Sequence, residues 1–170
     1  MRMFLFAKRN IKEILRDPIN LFFSLGFPLI LLVLLSIIDS AIPPEARNTM
    51  FQIKNLAPGL VMFGSVFMAL FAGMLLSKDR TSSFLMRLFT SPMTATDFIL
   101  GYTLPMIVMT IVQATITLLV AGAFGLDINI DILFAIIMTA LTSLFFVGTG
   151  LFFGSLLNDK AVKEVEIGRA

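Results

Sequence analysis

Four stretches of this chain, residues 21–38, 58–76, 98–124 and 132–157, contain no Asp, Glu, Lys or Arg. Each is long enough to cross a hydrocarbon core of about 30 Å at a rise of about 1.5 Å per residue. Lipid offers backbone N–H and C=O groups no partners, which leaves helices or a closed barrel as spanning structures. Barrel strands alternate in polarity over about 10 residues, and these runs do not. Burial of the same helices inside a water-soluble protein fails on composition. Apolar residues make up 58% of the 170 and charged residues 14%, too few polar groups to cover four such helices. The first run is also too long for a signal-peptide core of about 7 to 15 residues, and no small-residue cleavage site follows at Ile37-Ile38-Asp39-Ser40-Ala41. The expected fold is therefore an all-α membrane protein with four transmembrane helices.

The net charge of +2 says little, but its distribution is informative. Arg2, Lys8, Arg9, Lys12 and Arg16 precede the first span; Lys78, Arg80 and Arg87 follow the second; Lys160, Lys163 and Arg169 follow the fourth. The opposite connections hold only Arg47 and Lys54. Basic loops stay in the cytoplasm, so both termini are expected there, in a cell membrane. Cysteine and histidine are absent, which removes disulfides, thiolate nucleophiles, imidazole bases and nitrogen or sulfur metal sites.

The pattern divides the chain into an N-terminal amphipathic interfacial helix (3–16), span 1 (20–38), span 2 (57–77), a short cytoplasmic loop helix (81–89), span 3 (97–124), span 4 (131–157) and a cytoplasmic tail (158–170). In the first segment Phe4, Ala7, Ile11, Ile14 and Leu15 recur at helical spacing, with Arg2, Lys8, Arg9, Lys12 and Arg16 on the other face. That reads either as a helix lying on the membrane surface, closed by Asp17-Pro18, or as a basic topology signal with no further task. In the loop helix Phe84, Leu85, Leu88 and Phe89 share one side and Arg87 opposes them. Such a face needs either the lipid interface or a groove on a soluble partner. Thr94 and Asp97 read as a capping box opening span 3, and the short turn 125–131 makes spans 3 and 4 antiparallel neighbours.

Ser65, Ala69 and Gly73, with Gly150 and Gly154, place small residues every fourth position, where helix backbones can approach closely. Thr110, Gln113 and Thr117 share a face of span 3, while Thr139 and Ser143 cluster in span 4. Their expected use is interhelical hydrogen bonding, with a substrate path as the sharper reading; Pro28 and Pro105 are expected to kink their helices. No GxxxxGK(S/T) loop, carboxylate pair or metal constellation occurs, so the chain is not expected to be an enzyme, to bind a cofactor or to contact nucleic acid. Spans without ionisable groups also argue against an ion-coupled carrier.

RNIKEILRDPINLFFSLGFPLI at 9–30, DRTSSFLMRLFTSPMTATDFILG at 79–101 and NDKA at 158–161, in that order, are similar to the transmembrane permease subunits of bacterial ATP-binding-cassette exporters of the second type, which carry drugs, lipids or polysaccharides. Asp79 stands where that family commonly has Glu, and Ser82-Ser83 where it has Gly-Thr. The resemblance implies a bacterial plasma-membrane permease paired with a second, identical or different, permease subunit and with cytoplasmic ATPases that hold ATP and Mg. It also implies that the loop helix is a coupling helix, with Phe84, Leu85, Arg87, Leu88 and Phe89 contacting the ATPase. Since such permeases have six spans, a chain with four is expected to be incomplete. The competing readings are a non-transporting four-helix adaptor or assembly protein and an oligomeric channel.

Overall fold

The computed structural model describes residues 2–43, 45, 48–81 and 94–156, and the described residues contain no strand. Helix α1 runs Arg2–Arg16. Asp17 then turns the chain: its carboxylate accepts hydrogen bonds from the N–H groups of Ile19 and Asn20 at 3.1 and 3.2 Å, and Pro18 fills the first position of α2, where no N–H is needed. Helices α2 (Pro18–Ala41), α3 (Ile53–Thr81), α4 (Ala95–Ala123) and α5 (Ile130–Leu156) are each long and apolar enough to cross a bilayer. Apart from Thr81, which ends α3, the expected loop helix 81–89 lies outside the described residues, as does the tail 158–170.

Local chemistry explains the irregular points. Pro28 has no N–H to offer the Ser24 carbonyl four residues earlier, and the helix responds with a π-turn over Phe22–Gly26 in which the Phe27 N–H reaches Phe22 O. Thr94 and Asp97 form the capping box at the start of α4. At its far end Gly125 adopts φ 97°, and the N–H groups of Gly125 and Leu126 bond back to Gly122 O and Ala121 O at 3.2 and 3.1 Å. That is a Schellman closure, and its left-handed position suits glycine.

Helices α3 and α4 form the interior, with 56% and 50% of their spanning windows buried; α2 and α5 are outer walls at 17% each. Helix α3 is the hub, packed most extensively on α5 and then on α4. One apolar cluster, including Met68, Leu75, Tyr102, Met106 and Val147, fills the bundle nearer α1. A second, including Leu32, Val61, Ala114 and Leu118, fills the other half.

Candidate functional site

The site begins with the rotation of α1. Phe6, Ala7, Asn10 and Ile14 are buried against α4, whereas Phe4 and Leu15, which the sequence pattern assigns to the apolar face, are exposed. Asn10 sets this rotation. Pro105 lacks the N–H that would have bonded to the Gly101 carbonyl four residues before it, and the Asn10 side-chain amide donates to that carbonyl instead, at 2.9 Å. Gly101 admits the contact, because a Cβ there would overlap the Phe6 ring. Phe6, Phe98 and Tyr102 close the corner, with centroid separations of 5.0 to 6.2 Å.

The same rotation turns Arg9 inward. Its guanidinium grips Asp79 of α3 through two parallel bonds, Nη1 to Oδ2 at 2.7 Å and Nη2 to Oδ1 at 2.8 Å. Tyr102 of α4 donates its hydroxyl to Asp79 Oδ2 at 2.6 Å, Glu13 pairs with Arg9 at 2.7 Å, and Lys78 donates to Glu13 at 2.9 Å. Asp79 is only 2% exposed. Its hydrogen bonds, opposed by partial burial, raise the pKa of the Arg9 guanidinium above its usual value. Two-point carboxylate pairing fixes orientation as well as distance, so α1, the end of α3 and the start of α4 are held together. Asp79 and Tyr102 flank the connection 82–93 on either side.

Replacing Asn10 with Ala leaves the Gly101 carbonyl without its donor and is expected to cost about 1–3 kcal/mol. In a Pro105→Ala background the restored N–H can serve that carbonyl, so the same change should cost at least about 1 kcal/mol less. Denaturant unfolding of the four proteins in detergent measures this difference; strictly additive losses would contradict the geometry.

The other sequence-derived residues fall in three places. Ala69 and Gly73 of α3 meet Gly150 and Gly154 of α5 backbone to backbone, since a Cβ on Gly73 would lie 2.6 Å from Gly150 O, and one on Gly150 or Gly154 would lie closer still to Ala69 O or Gly73 O. Ser65 is fully buried one turn away, its hydroxyl donating to Val61 O. Thr110, Gln113, Thr117, Thr139 and Ser143 are all buried, and the hydroxyls of Thr110, Thr139 and Ser143 bond back to their own helices. Gln113 was expected to bond across helices, but its amide nitrogen donates to Thr117 on the same helix at 3.3 Å, and the side chain occupies space left by the missing Cβ of Gly64. A position four residues on is its neighbour on the helix surface, which makes this local bond available. Of these five, only Thr139 borders a cavity of about 170 Å³, whose lining shares Pro58, Leu118 and Ala135 with an open cavity of about 740 Å³ at the end of the bundle opposite α1. Phe84, Leu85, Arg87, Leu88 and Phe89 lie outside the described residues.

The inward Arg9 corrects its expected place on the polar face of α1. Asp79 carried the overlooked signal: a carboxylate at the negative end of a helix dipole calls for a cation.

Four apolar spans of this length, tied at one end by an ionic cluster around the buried Asp79, define a multi-pass helical membrane protein. The family model for ABC-2 type transporters matches residues 1–162. The chain belongs to that family and is a transporter permease component. No curated protein and no solved structure matches it.

Proposed function

We propose that this chain is the permease component of an ATP-driven exporter in a bacterial plasma membrane, with both termini cytoplasmic. It forms part of the substrate path beside a second permease subunit, identical or different. A separate cytoplasmic ATPase, which carries the ATP and Mg, drives it through the connection 82–93. Phe84, Leu85, Arg87, Leu88 and Phe89 supply the contact surface. The path uses the polar face of Thr110, Gln113 and Thr117 with Thr139 and Ser143, and the adjoining cavities that reach Thr139 favour a mouth at the end opposite α1.

One observation carries this reading: Asp79 and Tyr102, rooted on either side of the connection, are tied to each other and to Arg9 of α1. A push delivered to the connection therefore moves three helices together instead of bending one. The test is co-expression with an ATP-binding-cassette ATPase that the wild-type chain retains on purification. Phe84→Asp with Leu88→Asp removes two apolar anchors worth about 1.5–3 kcal/mol each, so retention of the ATPase should fall at least about tenfold. Undiminished retention by the double variant would overturn the docking assignment.

A further inference from the structure

With α1 fixed by Phe6, Asn10 and Arg9, its opposite side is left facing outward. At about 3.6 residues per turn, Phe4, Leu15, Lys8, Lys12, Leu5 and Arg16 fall on one arc of about 120°. Phe4, Leu5 and Leu15 are 67%, 66% and 52% exposed, and Lys8, Lys12 and Arg16 are exposed as well. The three cations form no salt bridge among the described residues, and the arc carries no carboxylate, because Glu13 is turned inward onto Arg9 and Lys78.

From this arc we infer that α1 is a binding face for anionic phospholipid headgroups. Its depth follows from its anchors. Arg9 and Asn10 hold Asp79, near the end of α3, and Gly101, in the second turn of α4, so α1 sits at the level where the spans leave the hydrocarbon. Just past the Asp17 corner, Ile19 and Phe22 are exposed on α2, which continues the apolar surface of the arc onto the lipid-facing wall of the first span. A helix that interleaves large apolar side chains with lysine and arginine matches the headgroup–acyl boundary, where the first group enters the acyl region and the second meets phosphate. Uncompensated positive charge selects anionic over zwitterionic lipid. A soluble partner would have to reach the same arc through the headgroups.

Lipid binding by α1 requires no transport and can be measured on the full chain alone. Protein purified in mixed micelles containing equal amounts of phosphatidylglycerol and phosphatidylcholine is analysed by native mass spectrometry for the lipids it retains. The wild type should retain phosphatidylglycerol preferentially, and the preference should decline as salt is added. Lys8→Gln/Lys12→Gln/Arg16→Gln should reduce it by on the order of a hundredfold if the cations act independently, and by at least about tenfold if they overlap. Lys54→Gln, at the other end of the bundle, should leave it unchanged. Because the three side chains touch none of the buried cluster, the triple variant should unfold at the wild-type denaturant concentration, separating lost lipid from lost fold. Equal retention of the two lipids by the wild type would overturn the inference. So would a preference that survives the triple substitution.

Discussion

Replacing Arg9 with Met is expected to cost about 3–5 kcal/mol of stability, more than replacing the carboxylate that Arg9 holds. The asymmetry follows from where each charge is left. Without Arg9, Asp79 remains almost fully buried at the carbonyl end of α3, where the helix dipole also disfavours a negative charge. Tyr102, its other hydrogen-bond donor among the described residues, is neutral and does not replace a two-point ion pair. Without the carboxylate, as in Asp79→Asn, an acceptor for Tyr102 survives. Arg9, whose side chain is 34% exposed, keeps Glu13 at 2.7 Å and Asn10 at 3.0 Å. A loss of about 1–2 kcal/mol is expected there. The double variant Arg9→Met/Asp79→Asn removes both charges while keeping an acceptor for the Tyr102 hydroxyl, and should recover most of the Arg9→Met loss, since no uncompensated buried charge is then left. Denaturant unfolding of the full chain in detergent gives all three values. A larger loss for Asp79→Asn than for Arg9→Met would show that the cluster is not arranged as described.

The limits of the sequence reading follow from the same cluster. The four spans are legible because a long charge-free run is a one-dimensional signal that needs no knowledge of partners. The Asp17-Pro18 corner and the Thr94–Asp97 box are legible for the same reason, each being complete within a few residues. The rotation of α1 is not local. Five cations lie on that helix, and periodicity alone gives Arg9 the same standing as Lys8 or Lys12. Its inward turn is decided by an amide at Asn10 meeting a carbonyl 91 positions away, freed by a proline four residues further on. Gly101 and Pro105 each look like ordinary features of a membrane helix, and only their pairing with Asn10 gives the spacing a purpose. Gln113 shows the converse. Its depth and polarity call for a partner, yet sequence cannot distinguish a bond across helices from one to Thr117 a turn away.

Gly150→Ala and Gly154→Ala should each destabilise the protein by about 1–3 kcal/mol, although alanine is normally the better helix former. The reason is the identity of the opposing atoms. An added methyl at Gly150 would run into the Ala69 carbonyl oxygen, and one at Gly154 into that of Gly73. A side chain in the way could rotate aside, but a carbonyl inside a continuous helix cannot move without its backbone. The two helices would have to separate along the most extensive contact in the bundle, losing dispersion contacts over its whole length. Gly148 provides the internal control. It lies on the same helix with nothing within 4 Å of a built Cβ, so Gly148→Ala should change stability by less than about 0.5 kcal/mol or raise it slightly. Equal losses at Gly148 and Gly150 would mean that the effect belongs to glycine in the helix and not to the crossing. The seam and the clamp also share α3: Gly73 and Asp79 are six residues apart, about 9 Å along the axis. A strained crossing should therefore reach the buried carboxylate. Combined with Asp79→Asn, Gly154→Ala is expected to depart from additivity by at least about 0.5 kcal/mol, whereas Gly148→Ala in the same background should add within error.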